Sequence, residues 1–532
     1  MTLDEVVSDA IRLEPGTSPY LSIPGNTNGV IVSILDEFSQ SSFRHVSNLH
    51  AIGPVKPELD LDRLDPAALL VESAWNGNQG RWRYMVTSSK GPKPPFHHLL
   101  AECNKRGIPT IFWNKEDPVH YDEFIDAAKL FDYVLTTDGD LVPTYKEAIG
   151  HDRVDLLRFA AEPHIHNPRR VTEHRRGDIA FAGQYFRHKY PERRMQVETL
   201  FSAAQNHDFS IYSRMLGSDE NYQFPKQYQH NIVGSLPYTE MVSAYKRHKI
   251  FLNVNSVTSS TTMCARRVFE LAAAKTIVVS MHSDAIRSVF PADEVATVGS
   301  VEEAAELFDL LLTDSLGTAA RAQRAWRRVA TSHTMRDRVE QIRNMIGISI
   351  PHRSANIALH ASTESLTRDL IEDLASQTIL EFPSATITVF THGQDSSKDP
   401  QLPTHITISP SEDFRARDFD YVGHVDGSLR YGKNYISDQI LVLDKFIPEA
   451  IVTKPLWSPN NELPKADETD VTWVQRGAWI SRSDAETLNE LILSSVSATT
   501  PIVDLNESAP AYCADVFNVV PAENSYDWMW TA

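Results

Sequence analysis

The stretch NVNSVTSSTTMCARRVFELAAAKTIVVS (253–280) indicates the fold of this chain more clearly than any other. An apolar strand is predicted to end at Asn255, a loop rich in serine and threonine follows, and a helix is predicted to begin near Thr262. The run TIVVSM (276–281) is predicted as the next buried strand. Strand, helix and strand in this order predict a parallel sheet of the doubly wound α/β class.

The same alternation continues towards the N-terminus. Four apolar runs are predicted as buried parallel strands: GVIVSIL (29–35), ALLVESAW (68–75), TIFWN (110–114) and YVLTT (133–137). A second set of strands is predicted closer to the opening stretch: DIAFAG (178–183), FSIYS (209–213) and IFLNVN (250–255). We therefore expect two α/β domains, residues 1–172 and residues 173–348. Residues 349–532 are expected to form a further domain.

Residues 319–347, AARAQRAWRRVATSHTMRDRVEQIRNMIG, are predicted as two amphipathic helices. We expect them to cross back and brace the first domain. The alternative is contact with a membrane surface, since the segment is rich in arginine. Beyond it, ANIALHA (355–361) and TITVFTHG (386–393) are predicted as strands of a further α/β domain.

The composition excludes several classes of protein. The 532 residues carry 51 Lys and Arg against 70 Asp and Glu, a net charge of −19, which argues against nucleic acid as a partner. No apolar run reaches about 18 residues, so no membrane span is predicted. The N-terminal segment lacks the apolar core of a secretory signal. The scattered cysteines, Cys103, Cys264 and Cys513, are expected to be reduced thiols of a cytosolic protein.

The opening stretch also carries candidate ligand-binding residues. A helix that begins near Thr262 would offer free backbone N–H groups to a phosphate, and Arg266 and Arg267 could add contacts to phosphate oxygens. Glu270 lies one turn after Arg266 and could accept hydrogen bonds from a ribose diol. The alternative is an ordinary Arg–Glu pair on a helix surface, which contributes little.

A second candidate element is DIAFAGQYFRHKYPERR (178–194), in which Gly183 ends a strand and Arg187 follows. From Arg169 to Arg194 the sequence contains eight Lys and Arg against three acids. This local excess of positive charge suggests a site for a small anion, and the alternative is a solvated linker. The strand–Gly–helix element itself lacks a full glycine fingerprint.

The order FAGQYF, YPERR, GSLPYTEMVSAYKRHKIFLNVNS, TMCARRVFELAAAKTIVVS and SHTMRDRV resembles bacterial glycosyltransferases of the GT-B fold, and most closely the spore-maturation CgeB-like family. The resemblance covers about residues 65–347. It implies two Rossmann-like domains that face each other across a cleft, with a nucleotide sugar held mainly by the second.

Carried onto this chain, the resemblance assigns Glu270 to the nucleotide ribose, Arg266 with the turn Thr261–Thr262 to the diphosphate, and Gly183 to the donor side. We also assign Arg187, Asn255 and Arg267 to the donor site. Many retaining GT-B enzymes carry a Glu eight positions before the ribose Glu. That position is Thr262 here, so the stereochemical outcome stays open.

In such an enzyme the first domain supplies the acceptor site and the base. Ligands of open α/β sheets bind at the carboxyl ends of the strands. TIFWN leads into a loop with Asp117 and His120, and ALLVESAW contains Glu72. We expect one of these three groups to deprotonate the acceptor hydroxyl. The alternative for Asp117, which precedes Pro118, is a turn or a helix cap. Asp138 is a weaker candidate.

The last block resembles a GT-A glycosyltransferase domain that has lost its active-site acids. The resemblance lies in ANIALHASTESLTRDLIEDLASQT, ATITVFTHG and DYVGHVDGSLRYGKNYISDQILVLDKF. The family's acidic metal cluster is reduced to Asp426, and His392-Gly393-Gln394 stand where an acidic nucleotide contact is expected. A divalent metal needs more hard oxygen ligands than this. The block's net charge of −15 also disfavours an anionic donor, so we expect a non-catalytic domain for packing, oligomerisation or acceptor binding.

Together these observations predict a metal-independent glycosyltransferase that uses a nucleotide diphosphate sugar and a hydroxyl acceptor, such as a cell-surface glycan or polymer. No cofactor or metal is expected, and the location is cytoplasmic, with peripheral contact to the inner face of the membrane left open. Two alternatives remain: a non-catalytic nucleotide-sugar-binding or scaffold protein, and a sugar-nucleotide epimerase on the same fold.

Overall fold

A computed structural model describes residues 29–168 and 175–348 and, in the last third, 355–361, 367–381, 384–391, 403–410, 413, 418–425, 429–446, 452–454, 470–475, 512–513 and 519–521. The chain forms two compact units. One comprises Met1–Thr318 with Ser332–Ile350, and the other comprises Ala319–Thr331 with Pro351–Ala532.

The first sheet of the described chain has six strands: β1 (Ile31–Ile34), β2 (Leu49–Ala51), β3 (Ala68–Glu72), β4 (Thr110–Asn114), β5 (Tyr133–Thr136) and β6 (Val154–Leu156). Helices lie between them: α1 (Glu37–Phe43), α2 (Pro57–Leu64), α3 (Pro94–Lys105), α4 (Tyr121–Ala128) and α5 (Val142–Ile149). The spatial order is β2-β1-β3-β4-β5-β6, and every neighbouring pair is parallel.

The second sheet also has six strands in the described residues: β7 (Gly177–Gly183), β8 (Phe209–Ser213), β9 (Ile232–Gly234), β10 (His248–Asn253), β11 (Ile277–Met281) and β12 (Ala296–Val298). Its helices are α6 (Pro191–Ala204), α7 (Tyr238–Arg247), α8 (Arg266–Ala273), α9 (Asp284–Val289) and α10 (Val301–Thr313). The order is β12-β11-β10-β7-β8-β9 and all pairs are parallel, so the prediction of parallel α/β sheets is confirmed.

Two helices follow, α11 (Ser315–Ser332) and α12 (Met335–Met345), as the amphipathic pattern predicts. Helix α12 packs on one face of the first sheet, where Met335, Val339 and Ile342 join Leu70 and Trp113 in the same buried cluster. The return of the chain to the first sheet is therefore confirmed for α12. The opposite face of that sheet is covered by α3 and α4.

The second unit contains a mixed sheet built from β13 (Ala355–His360), β14 (Ala385–Thr391), β15 (Ile406–Pro410), β16 (Tyr421–His424), β18 (Val452–Lys454), β19 (Asp470–Gln475) and β20 (Tyr512–Cys513). A smaller sheet pairs β17 (Leu429–Tyr431) with β21 (Val519–Pro521), and the helices are α13 (Arg368–Ala375) and α14 (Tyr435–Leu441). Residues 319–331 belong to this unit partly because Arg327 forms an ion pair with the buried Asp438.

The GT-A-like assignment of the last block and our domain boundaries stay predictions. Asp426 and His392-Gly393-Gln394, on which the predicted loss of activity rests, lie outside the described residues. One local prediction was wrong. Helix α8 begins at Arg266, with Ala265 as its N-cap, and not near Thr262. The hydroxyl of Ser260 accepts hydrogen bonds from the backbone N–H groups of Thr262 and Met263, which forms a turn where a helix was expected.

The guanidinium of Arg175 joins the ends of α7 and α8. It donates to the carbonyl oxygens of Tyr245 and His248, to the hydroxyl of Thr276 and to the carbonyl oxygens of 274–275, at 2.7 to 3.1 Å. Burial lowers its pKa to about 10. The last carbonyls of a helix lack partners within the helix, so this one side chain supplies donors to several of them. The carbonyl of Tyr245 also accepts from the Thr276 hydroxyl at 2.7 Å.

We expect Arg175→Met to lower the free energy of unfolding by about 3 kcal/mol or more, because several buried carbonyls lose their donor at once. Chemical denaturation of the full chain measures this. Arg176→Met is the matched control, since Arg176 is the exposed neighbour, and it should change stability by less than about 0.5 kcal/mol. Equal effects of the two substitutions would contradict the assignment.

Candidate functional site

The strand orders create one switch point in each parallel sheet. In the first sheet β1 and β3 are neighbours, and the chain leaves them towards opposite edges. In the second sheet β7 and β10 have the same relation. Crevices at the carboxyl ends of such strand pairs are where open α/β sheets bind ligands. The candidate site therefore lies after β1 and β3 on one side, and after β7 and β10 on the other.

At the first switch point a lysine joins two carboxylates. Glu72 ends β3, Asp36 follows β1 and Lys115 follows β4. The Lys115 ammonium bonds Asp36 and lies 3.2 Å from Oε1 of Glu72, which also accepts the backbone N–H of Asp36. Glu72 is fully buried and its Oε2 has no partner among the described residues. The side chain of Asp36 is 32% exposed, so Asp36 is the carboxylate that a substrate can reach.

Burial and the charges of this cluster move its pKa values in opposite directions. Burial, assisted by the nearby Asp36 charge, raises the pKa of Glu72 to about 7 although Lys115 opposes the change. Burial also acts to raise the pKa of Asp36, but Lys115 and Arg266 outweigh it, so that pKa lies below its usual range. Paired carboxylates with separated pKa values are typical of acid–base sites.

Asp117 lies in a different environment from the one its predicted role requires. It is fully buried, and its carboxylate accepts hydrogen bonds from Asn114 Nδ2 (2.8 Å), Thr136 Oγ1 (2.6 Å) and the Tyr145 hydroxyl (2.9 Å). Burial raises its pKa to about 7, even though the hydrogen bonds from Thr136 and Tyr145 oppose this. The peptide bond to Pro118 is cis. These contacts favour a structural role for Asp117, in the turn that follows β4, over its predicted role as a base.

His120 is the N-cap residue of α4, and its Nδ1 lies 3.1 Å from Oε1 of Glu123 one turn later. Its ring packs edge-on against Trp75 at 5.0 Å. The third candidate base therefore lies beside the loop after β3, but it does not contact Glu72 or Asp36. The structure brings together Glu72 with Asp36 and Lys115, neither of which was among the predicted site residues.

Asn78 is a second residue that sequence reasoning missed. It is buried with φ of 51°, and its Nδ2 donates to the carbonyls of Ser33 and Ile52 at 2.7 and 2.8 Å. Its Oδ1 accepts from Leu35 N and Gln40 Nε2 at 3.0 and 2.7 Å. One amide thus fixes the loop after β3 to the ends of β1 and β2. The signal in the sequence is NGNQG, since asparagine tolerates the left-handed conformation that such a turn requires.

On the side of the second sheet, the centre is the buried carboxylate of Glu270. Oε1 accepts from Arg266 Nε at 2.8 Å and from the Tyr238 hydroxyl at 2.7 Å, and Oε2 accepts from the Tyr245 hydroxyl at 3.3 Å. Glu270 is only 1% exposed. Burial acts to raise its pKa, but Arg266 and the imidazole of His166 outweigh it, so the pKa lies below its usual range. The alternative of an ordinary surface pair does not apply to this carboxylate.

His166 extends this network into the segment between the two sheets. Its Nδ1 accepts the backbone N–H of Glu162 at 2.9 Å, which leaves the proton of a neutral ring on Nε2. Nε2 lies 2.6 Å from the hydroxyl of Tyr238, which donates in turn to Glu270. Burial lowers the pKa of His166. The sequence PHIHNP gave no indication of this contact, because its partner lies 72 residues further along the chain.

Arg266 connects the two switch points. Its guanidinium lies over the ring of Phe38 at 4.5 Å and over that of Tyr238 at 5.2 Å. The two rings meet edge to face at 4.8 Å. Phe38 belongs to α1 and lies two residues after Asp36. The positive charge of Arg266 helps to lower the pKa of Asp36, so the candidate donor arginine acts on the candidate acceptor carboxylate.

Other predicted donor-site residues surround the end of β10. Asn255 is buried, and its amide donates to Ser280 Oγ and to the carbonyl of Met281, both at 3.1 Å. At Gly183 an added Cβ would lie 2.9 Å from the ring of Phe181, so the neighbouring strand residue is what restricts this position to glycine. Arg187 is exposed and donates from Nε to the carbonyl of Gln223 at 3.1 Å.

Arg193, which sequence analysis did not assign to the site, contacts the loop that follows β10. It donates to the carbonyl of Val254 at 3.2 Å and to Ser256 Oγ at 3.1 Å. Burial and the neighbouring positive charge of Arg267 lower its pKa to about 10. In the described part of the chain, the buried Nε atoms of Arg193 and Arg267 have no hydrogen-bond partner. Two such groups close together favour an anion between or beside them.

The turn at Thr261 and Thr262 contacts the first sheet. Thr261 Oγ1 donates to Asp140 Oδ1 at 2.8 Å, and Thr262 Oγ1 accepts the backbone N–H of Gly139 at 2.6 Å. Ser260 donates to Asp138 at 2.8 Å. The weaker candidate Asp138 therefore holds this turn at the carboxyl end of β5. The assignment of the turn to a diphosphate stays a prediction.

Two further observations concern ligands and membranes. Within the residues that the structure describes, no group of three or more His, Cys, Asp or Glu side chains is arranged to hold a metal ion. No helix in the described ranges is both long enough and apolar enough to cross a membrane.

Comparison with known proteins gives one family match and several structural neighbours. Residues 190–344 match a family model described as glycosyl transferase-like. No curated protein sequence matches the chain. Among solved structures, Alr3699/HepE of Anabaena in complex with UDP and glucose is 9% identical, with a TM-score of 0.39, and the alignment covers 60% of this chain and 99% of that one.

Two further structures are similar at the same level. A glycosyltransferase from Rickettsia africae ESF-5 is 12% identical over 61% of this chain and 100% of that one, with a TM-score of 0.37. Sucrose-phosphate synthase from Thermosynechococcus elongatus is 12% identical over 54% and 75%, also with a TM-score of 0.37. The family match makes residues 190–344 similar to glycosyltransferases, and these residues include much of the second parallel sheet of an α/β fold.

Proposed function

We propose that this chain is a glycosyltransferase of the GT-B type that transfers a sugar from a nucleoside diphosphate to a hydroxyl acceptor without a metal ion. One observation carries the proposal: the glycosyl transferase-like match includes Arg266 and Glu270, which lie just after the switch point of the second sheet. The proposal extends to a CgeB-like relationship and to a non-catalytic, GT-A-like role for residues 349–532.

The positive charges near the end of β10 support the donor half of the reaction. Breaking the bond to the donor leaves negative charge on a diphosphate, which must be stabilised. Arg193, Arg266 and Arg267 supply guanidinium groups, and the first turn of α8 adds the positive end of the helix dipole. We propose that these groups replace the metal ion that other transferases use.

Glu270 takes a specific part in this arrangement. Oε1 already accepts two hydrogen bonds and Oε2 accepts one, and the side chain is only 1% exposed, so a ribose diol has little access to this carboxylate. Its bond to Arg266 holds that guanidinium in place. We therefore propose that Glu270 positions Arg266, and we keep ribose binding as the role that the family resemblance implies.

For the acceptor half, we propose that Asp36 contacts the acceptor hydroxyl. Asp36 is partly exposed, lies at the switch point of the first sheet and is ionised by its contact with Lys115. Glu72 is too deeply buried for direct contact, and we propose that it positions Lys115 and adjusts the charge of the cluster. Asp117 and His120, the other predicted bases, lack this combination of exposure and position.

The first prediction concerns donor binding. In a thermal-shift screen of the full chain against nucleoside diphosphates and their sugars, including UDP and UDP-glucose, we expect one donor to raise Tm by about 3 °C or more in hundredfold excess over Kd. The shift should persist in EDTA and disappear in Arg266→Ala and Glu270→Ala, because the diphosphate loses its held guanidinium.

The controls for this screen are Arg368→Ala and Glu372→Ala, which break an exposed Arg–Glu pair of the same i,i+4 spacing on α13. They should leave the shift intact. If Glu270→Ala does not fold, Glu270→Gln keeps the size of the side chain and tests the same charge. No shift with any nucleotide would overturn the proposed function, and a shift that requires a divalent metal would overturn the metal-independent mechanism.

The second prediction concerns the acceptor side. Asp36→Asn should lower kcat by about a hundredfold or more with little change in donor affinity, because it removes the proton acceptor from the transition state. Asp36 is the N-cap of α1, and its Oδ1 accepts the backbone N–H of Ser39 at 2.9 Å. Asp219→Asn is the matched control, since Asp219 accepts a backbone N–H as an N-cap residue in the same way, but at an exposed site. Steady-state kinetics with the donor found above measures both. Unchanged kcat in Asp36→Asn would exclude Asp36.

The third prediction concerns Glu72 and pH. Its folded pKa of about 7 lies above the ordinary value of 4.5, so the protonated form stabilises the fold. This contribution is fully present below about pH 4.5 and is lost as the pH rises to about 7. The stability of the wild type should therefore fall relative to Glu72→Gln by up to about 3 kcal/mol across this window. Denaturation at a series of pH values measures the difference, and a constant difference would contradict the raised pKa.

A further inference from the structure

The loop after β3, residues 73–93, and the first two turns of α3 have an unusual charge composition. Residues 73–101 contain Arg81, Arg83, Lys90 and Lys93 and no acidic residue, although the chain as a whole carries −19. All four cations are exposed, and none forms an ion pair with the residues that the structure describes. The neighbouring cations Arg63 and Arg106 are paired with acids. The loop therefore presents positive charge that no acid of the described ranges neutralises by an ion pair.

The loop is firmly built. Asn78 fixes its start to the ends of β1 and β2, and the indole of the buried Trp82 donates to the carbonyl of Ile52 at 2.8 Å. Tyr84 N donates to the carbonyl of Trp75 at 2.7 Å, which closes the first part of the loop. A bond from the backbone of residue 93 to that of residue 85, at 3.0 Å, closes the second part and brings the two cationic segments together.

Tyr84 adds an aromatic surface to these charges. Its side chain is exposed, at 47%, and the guanidinium of Arg83 lies 5.5 Å from the centre of its ring. Its φ of 52° is costly for a residue with a side chain, and strained positions of this kind are concentrated at ligand-binding sites. An exposed ring beside unpaired cations suits a ligand that has both sugar rings and negative charges.

The loop belongs to the acceptor side. The loop directly follows Glu72, the last residue of β3. The backbone N–H of Asn78 in this loop donates to the carbonyl of Leu35, next to Asp36. Of its large apolar and aromatic side chains, Trp82 and Val86 are fully buried and Trp75 and Met85 are partly buried. Within the described loop the exposed one is the single ring of Tyr84, which offers little surface for insertion into a bilayer. The position and the polarity of this surface therefore favour a soluble anionic chain over a lipid surface.

We propose that residues 75–93 bind the acceptor and that the acceptor is an anionic glycan, with phosphate or carboxylate groups on successive sugar units. The charges of Arg81, Arg83, Lys90 and Lys93 hold the anionic groups, and Tyr84 packs on a sugar ring. This inference rests on the proposed function, since it names the acceptor class of the same site. It predicts that the transferase discriminates against neutral glycans of equal length.

The test is a binding measurement on the full chain with alginate oligomers, which carry carboxylates, and with neutral dextran of the same length. Wild-type protein should bind alginate with an affinity that falls as salt is added, and it should bind dextran at least about tenfold more weakly. The loop variant changes four residues to glutamine: Arg81, Arg83, Lys90 and Lys93. It should bind alginate about tenfold or more weakly than the wild type.

The matched control removes the same charge from exposed cations elsewhere: Lys105, Lys129, Arg176 and Lys226. It should bind alginate within about twofold of the wild type, because net charge alone is not the cause. Tyr84→Ala should weaken binding of alginate but not of inorganic polyphosphate, which offers no sugar ring. Equal losses in the loop and control variants would overturn the inference.

A lipid partner and the donor site are tested by two further measurements. Co-sedimentation with vesicles of 30% anionic lipid tests a membrane partner, and loop-dependent binding to vesicles without binding to alginate would overturn the inference in favour of lipid. The thermal shift with the nucleotide donor should be unchanged in the loop variant. If donor binding is intact but the wild type does not prefer alginate to dextran, only the proposed acceptor class is contradicted. If the wild type binds no donor, the proposed function is contradicted.

Discussion

The burial of the Glu270 carboxylate is the constraint on which the rest of the site depends. A charge that is 1% exposed is very costly unless it is paired and hydrogen-bonded, so its partners must be held in place. They come from three parts of the chain: Arg266 from α8, Tyr238 from α7 and His166, through Tyr238, from the segment between the sheets. The guanidinium of Arg175 then fixes the far ends of the same two helices. The bond to Glu270 also holds Arg266, whose guanidinium lies over the ring of Phe38 after β1.

The two switch points carry opposite chemistry on the same topology. After β1 and β3 the structure places two carboxylates and one lysine, a set that can accept and hold protons. After β7 and β10 it places guanidinium groups, which remain charged and suit a diphosphate. A transfer reaction needs both functions within reach of one sugar, one to receive the acceptor proton and one to stabilise the leaving group. In a parallel sheet the carboxyl ends of all strands lie at the same edge, so residues that follow different strands come together there.

The sequence predicted the strands and helices that depend on the pattern of residues close together in the chain. The long buried strands β3, β4, β7 and β8 follow from apolar runs, and their observed bounds differ from the predicted ones by a few residues at most. The three-residue strands β2, β6, β9 and β12 were missed, because so short a strand has no periodicity to detect. The predicted start of α8 near Thr262 was wrong because the Ser260 hydroxyl holds residues 260–263 in a turn where a helix was expected. The roles of Asn78, Lys115 and His166 depend on partners tens of residues away, which spacing along the chain cannot show.

The distribution of charge along the chain gives information that the net charge does not. Of the total of −19, residues 349–532 carry −15, which leaves only −4 for the 348 residues that contain both parallel sheets. Within that part cations exceed acids locally in three segments. Residues 73–101, after β3, have four Lys and Arg and no acid, residues 184–197, after β7, have four against one, and residues 319–347 have seven against two. The first two segments follow switch-point strands of their respective sheets. Clustering like charges costs repulsion, and hydrogen bonds to neutral groups do not remove the charge. The excess of cations at the two places where the topology directs ligands therefore favours anionic ligands on both sides of the reaction, a diphosphate on one and a charged glycan on the other.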